Sequence, residues 1–203
     1  DAVAAEALDL LNDRKNASIL LLVGPGNNGA DTIYAGARLS AQGHSVDAVV
    51  FDPSEKNLQL IAREGGEGTP VLDPAQAQEH LRDYALILDG ILGTGASGAV
   101  RGEAGEYLRT LREAQLKGHL GPVLAVDTPS GVDNNRGTVH EPSLRADRTV
   151  TFIGRKLPLG TAHSLHAGDV KLYDLGVPEA LNHHKPAIRV MERSDYRDTL
   201  EIP

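Results

Sequence analysis

Seven short apolar runs set the terms for this chain: Ser18–Val23, Val46–Phe51, Thr69–Leu72, Ala85–Leu88, Val123–Val126, Thr149–Ile153 and Val170–Tyr173. Each is continuous rather than alternating in polarity, and each ends near Gly, Asp or Pro. Continuous runs this short suit strands buried on both faces. Amphipathic stretches lie between most of them: Thr32–Gln42 with Gly43 as a stop, Asn57–Arg63, Pro74–Asp83, and Gly105–Lys117 with Leu108, Leu111 and Leu116. Strand–helix alternation predicts an α/β fold: three-layer α/β/α, Rossmann-like, with a mainly parallel central sheet. Asn134–Ala146 has no clear period and reads as a long loop. The residues from Asp1 to Leu11 read as the end of a helix, so a segment before Asp1 is expected.

The 203 residues fit one domain, expected over residues 1–178, with 179–203 as a C-terminal tail or linker. With 20 Lys and Arg against 28 Asp and Glu, the formal net charge is −8, which argues against nucleic acid as a partner. No apolar run approaches the roughly 20 residues needed to cross a bilayer, so no membrane partner is expected and a cytoplasmic location is. Cysteine is absent, which excludes disulfides, thiolate nucleophiles and Cys-ligated metals.

Ligands of open parallel sheets bind beyond the carboxyl ends of the strands, and four of these ends are unusual. The first continues as Gly24-Pro25-Gly26-Asn27-Asn28-Gly29-Ala30-Asp31, which satisfies G-x-G-x-x-G, with Asp52 near the acidic position of a dinucleotide fingerprint. Asn27 and Asn28 add amides that a dehydrogenase does not need, and Asp31 could serve as an N-cap. The fourth continues as Asp89-Gly90-Ile91-Leu92-Gly93-Thr94-Gly95-Ala96-Ser97-Gly98-Ala99, a loop whose backbone N–H groups could approach an anion closely. Asp89 follows a buried run directly, and a carboxylate there needs a partner. The fifth ends in Asp127-Thr128-Pro129-Ser130-Gly131, and the sixth in Gly154-Arg155-Lys156, a candidate proton-transfer partner or phosphate contact. His163 and His166 lack further ligands at metal spacing. Ser130 has no His–acid pair or nucleophile elbow, and there is no P-loop.

Together these motifs, with the closing Tyr173-Asp174-Leu175-Gly176-Val177-Pro178, resemble the NAD(P)HX epimerase family of the YjeF N-terminal domain type, over roughly Ser18 to Pro178. The resemblance implies a metabolite-repair isomerase that interconverts the R and S forms of hydrated NADH and NADPH (NADHX and NADPHX). It implies that Asn27, Asn28, Gly29, Ala30 and Asp31, the loop Gly93, Thr94, Gly95, Ala96, Ser97, Gly98 and Ala99, and Asp127 contact this substrate. Asn28, Asp89 and Ser130 would bind a potassium ion. Asp127 would be the acid/base, with Lys156 as its partner. A homodimer and a fused or separate dehydratase are implied as well.

Two other readings stand beside it. An NAD-dependent dehydrogenase would use Gly24, Gly26, Gly29 and Asp52, but leaves Asn28, Asp89 and Asp127 without a task. A non-catalytic nucleotide-binding or scaffold module could reuse the same fold.

Overall fold

A computed structural model describes residues 2–51, 55–65, 68–95, 97–160 and 165–177. All seven apolar runs form strands: β1 Ser18–Val23, β2 Ser45–Val50, β3 Val71–Leu72, β4 Tyr84–Gly90, β5 Val123–Val126, β6 Arg148–Phe152 and β7 Asp169–Tyr173. They make one sheet in the order β3-β2-β1-β4-β5-β6-β7. Every pairing is parallel, so these strands are wholly rather than mainly parallel.

Five α-helices are described: α1 Ala2–Leu11, α2 Asn27–Ala41, α3 Glu55–Glu64, α4 Pro74–Glu79 and α5 Gly102–Leu116. β1 shows why both faces need cover. Ile19, Leu21 and Val23 pack into one core with Val3 and Ala7 of α1, Ile33 and Leu39 of α2, and Leu60 and Ile61 of α3. Leu20 and Leu22 pack into the other core with Ala77 of α4 and Leu108 and Leu111 of α5. Ile19 to Leu22 are each at most 1% exposed, and full burial of such side chains is worth about 1.5–3 kcal/mol apiece.

Local chemistry sets the helix ends. α4 starts with a capping box: Asp73 Oδ1 accepts from the Gln76 N–H at 2.8 Å, and Gln76 Oε1 accepts from the Asp73 N–H at 3.0 Å. α2 stops at Gly43, whose φ of 90° suits glycine. It begins at Asn27 with Gly26 as N-cap, five residues before the expected Thr32. Asp31 is therefore one turn inside the helix and is not its N-cap. Residues 134–147 carry no regular element, as the sequence predicts.

At the far side of the sheet, Arg148 of β6 ties down α1. Its guanidinium donates to Glu6 Oε2 at 2.6 Å and Asp9 Oδ2 at 2.7 Å. The Tyr173 hydroxyl of β7 donates to Glu6 Oε1 at 2.7 Å.

The strand order fixes where a ligand can enter. The chain runs outward from β1 to β2 and β3, then returns to place β4 on the other side of β1. The crevice between the ends of β1 and β4 is the switch point at which such sheets bind ligands.

Candidate functional site

A cleft of about 490 Å³ opens at that switch point. Pro25, Asn27, Asn28 and Asp31 line it from the end of β1, and Ile91, Leu92, Gly93, Thr94 and Gly95 from the end of β4. Asp127 enters from β5, and Phe152, Ile153 and Lys156 from β6. All four strand ends singled out in the sequence thus meet in one place.

The first loop is shaped by close backbone approach. The Gly24 N–H donates to the Gly90 carbonyl at 3.1 Å, and a Cβ at Gly24 would run into the Ile91 carbonyl. Gly26 has φ 82° and gives α2 no side-chain cap, so the first N–H groups of the helix stay available at the cleft. Gly29 is buried, and Ala30 packs against the core. Neither lines the cleft. Asp31 lies at its rim. Burial, and next the Asp127 charge, push its carboxyl above the usual value of 3.8.

Asp127 is the most heavily engaged group in the cleft. It directly follows β5, at φ 68°, a left-handed conformation that aspartate tolerates better than most residues. Its Oδ2 accepts from the Thr94 N–H at 2.9 Å and from the Thr94 hydroxyl. Its Oδ1 meets Lys156 Nζ at 2.5 Å and accepts from the Thr151 hydroxyl at 3.3 Å. Lys156 Nζ also donates to Thr151 Oγ1 and to the Phe152 carbonyl, each at 2.9 Å. An ion pair mostly out of water, with its remaining donors and acceptors satisfied, is a costly arrangement typical of functional sites. Ile153 also has positive φ, 67°. For a β-branched residue this is strain, and it sits in the cleft wall beside the pair.

Asp89 and Ser130 lie behind the cleft wall, both fully buried. Asp89 accepts from the Ser130 N–H at 2.8 Å and the Ser130 hydroxyl at 2.6 Å. Desolvation nevertheless pushes its carboxyl up, with those hydrogen bonds opposing the shift. Ser130 Oγ in turn accepts from the Leu92 N–H at 3.0 Å. Asn28 packs its side chain against Gly93, and its buried Nδ2 has no hydrogen-bond partner among the described residues.

Ser97, Gly98 and Ala99 do not line the cleft. Ala96, Asp52, His163 and the tail from Pro178 lie outside the described residues. Among the described residues, no three His, Asp or Glu side chains gather to hold a metal ion, and no helix is long and apolar enough to cross a membrane.

Three residues that sequence reasoning passed over shape the site. Asn57 of α3, fully buried, donates to the Gly24 carbonyl at 2.8 Å. Asn134 donates to the Gly93 carbonyl at 3.4 Å and to Thr128 Oγ1 at 3.3 Å. Thr151 touches both members of the ion pair. Its signal was present: Thr149 and Thr151 are two hydroxyls at i and i+2 inside a buried run.

The chain is similar to known proteins in both sequence and fold. Residues 1–157 match the model of the family described as YjeF-related protein N-terminus. A protein of Microbacterium testaceum named NAD(P)H-hydrate epimerase is 39% identical over 176 residues, covering 84% of this chain and 66% of the relative. One of the same name from Clavibacter sepedonicus is 41% identical over 170 residues, covering 78% of this chain and 72% of the relative. The bifunctional NAD(P)H-hydrate repair enzyme Nnr of Mycobacterium leprae is 31% identical over 160 residues, covering 78% of this chain but only 31% of that protein. Among solved structures, yeast ynu0 (YNL200c) superposes with a TM-score of 0.68 at 22% identity, covering 84% of this chain and 73% of the yeast chain. That likeness speaks to the fold. The 157-residue match and relatives near 40% identity speak to descent: the chain belongs to the YjeF-related N-terminal family, the family of the NAD(P)H-hydrate epimerases.

Proposed function

We propose that the chain is an NAD(P)H-hydrate epimerase that interconverts the R and S forms of NADHX and NADPHX. The observation that carries this reading is the Asp127–Lys156 pair at the sheet's switch point, facing the uncapped start of α2. The names of the relatives support it.

The reaction inverts a carbon that bears a hydroxyl next to a ring nitrogen. The C6–O bond breaks as the oxygen takes a proton from the Asp127–Lys156 pair and leaves as water. The nitrogen lone pair forms the C6=N bond of an iminium ion. Water returns to the other face, the C–O bond reforms, and the proton goes back to the pair. Asp127, as the acid/base, passes on the proton that the Lys156 ammonium holds, and its carboxylate steadies the cation. The α2 N-terminus with Asn27, Asn28 and Asp31, and Gly93, Thr94 and Gly95 of the loop after β4, serve to hold the rest of the substrate.

Potassium fits the residues present. Asp89 is a fully buried carboxylate that meets neutral donors, and no salt bridge reaches it among the described residues. Asn28, Asp89 and Ser130 offer hard oxygens, the ligand type that alkali cations accept. Bound there, the ion would supply the positive charge that buried Asp89 lacks. A homodimer and a separate or fused dehydratase partner belong to the same reading, the latter supported by the bifunctional relatives' names.

An assay of R-NADHX epimerisation tests it, run on the unaltered chain and Asp127→Asn, in potassium and in potassium-free buffer. The expected result is activity that needs potassium and is abolished by the substitution, while substrate still binds. Full activity of Asp127→Asn would sink the acid/base assignment, and indifference to potassium would sink the ion.

A further inference from the structure

We infer that Thr151 is a positioning residue for the reaction: its hydroxyl locks the Lys156 ammonium against Asp127 so that the two act as a single proton-holding unit. The inference rests on the epimerase reading and adds a residue to it.

On β6, Thr149 and Thr151 point to the same side of the strand, and both are fully buried. A buried hydroxyl must find partners. Thr149 donates to the Ala167 carbonyl at 2.7 Å, an ordinary structural use. Thr151 instead bridges two side chains of opposite charge. An ammonium donates and cannot accept, so in the 2.9 Å contact with Lys156 Nζ the Thr151 oxygen is the acceptor. Its single proton is thereby left for Asp127 Oδ1, 3.3 Å away. The direction of the chain is fixed: Lys156 N–H to Thr151 O–H to Asp127 carboxylate.

Lys156 has three N–H groups and three partners: Thr151 Oγ1, the Phe152 carbonyl and Asp127 Oδ1. If Asp127 Oδ1 were its sole side-chain partner, the ammonium would lose its place whenever the carboxylate changed charge during turnover. Thr151 and the Phe152 carbonyl hold it through that change. Asp31 from α2 also faces Asp127, whose charge helps push the Asp31 carboxyl up, and Thr94 donates to the other Asp127 oxygen. Thr151 therefore serves both partners at once: it accepts from the ammonium and donates to the carboxylate.

This double role gives a signature that packing alone would not. Removing the hydroxyl takes an acceptor from the ammonium and a donor from the carboxylate together, so the loss should fall on kcat rather than on KM, and a side chain that restores the hydroxyl should restore the rate. Thr151→Val keeps the strand's β-branched shape. It is expected to lower kcat by about 10- to 100-fold, the range for a lost hydrogen bond to charged groups, with KM within about twofold. Thr151→Ser, which keeps the hydroxyl, is expected to restore most of kcat. Thr151→Ala serves the same comparison should Val fail to fold. Wild-type kcat in the Val or Ala variant, a loss that falls on KM instead, or a Ser variant as impaired as either, would overturn the inference. An unaltered chain without epimerase activity would instead overturn the function. In that event exchange of the Lys156 ammonium protons with water, followed by NMR, still decides the positioning role: it should quicken in Thr151→Val and hold in Thr151→Ser, and unchanged exchange overturns it.

Discussion

Asp127 was readable at the residue scale because an aspartate directly after a buried run is costly unless it has a task. Its partners were readable unequally. Lys156 follows the next strand and stood out, whereas Thr151 hides inside an apolar run where threonine is a common strand former. Thr94 was expected at the substrate; it lines the cleft and there also binds Asp127 through both its N–H and its hydroxyl. Asp31 was open to a capping role that the structure gives to Gly26, because sequence does not show how early a glycine turn enters the helix. Freed from capping, Asp31 carries a carboxyl raised by burial and by Asp127. An acid whose folded value lies above its unfolded value of 3.8 destabilises the fold as pH rises through that interval. Asp31→Asn should therefore melt higher than the parent at neutral pH, and the gap should close below about pH 3.8. Melting temperatures measured from pH 3 to 8 check this; a gap independent of pH would refute it.

At the scale of elements, every strand was legible, because a short continuous apolar run has few other uses. Helix starts were less so. α2 begins at Asn27 and α5 at Gly102, both earlier than periodicity predicts, since the first turn of each is built from glycine, alanine and polar residues that set up no apolar period. The glycines that looked alike in sequence divide by surroundings. A Cβ on Gly24 would collide with the Ile91 carbonyl, while one on Gly154 would meet nothing within 4 Å. Gly24→Ala should cost about 3 kcal/mol, the upper range for overpacking, because backbone rather than a side-chain tip must yield. Gly154→Ala should stay within about 0.5 kcal/mol of the parent. Urea unfolding midpoints of the two variants decide between this and a uniform glycine effect.

For the whole molecule, the alternation of runs implied a parallel sheet, yet could not give the strand order, which depends on where the chain turns back after β3. Nor could it show that Arg148 would fasten α1 from 142 residues away. That clasp is testable. Arg148→Met leaves Glu6, whose side chain is only 14% exposed, without its cation. The expected cost is about 1–3 kcal/mol, with amide exchange rising in α1 and unchanged in β4; equal protection of α1 in both proteins would show the clasp to be idle. The wholly parallel sheet has a last consequence. Because every described strand runs the same way, the chain can meet the cleft only as it leaves a strand, as it does after β1, β4, β5 and β6, and runs clear of it as it enters one. One rim carries the cleft and the other only turns the chain around, so the two can change under separate rules. Insertions and substitutions along the returning rim, as at exposed Gly118 with φ 68°, alter the protein's outline and leave its chemistry alone.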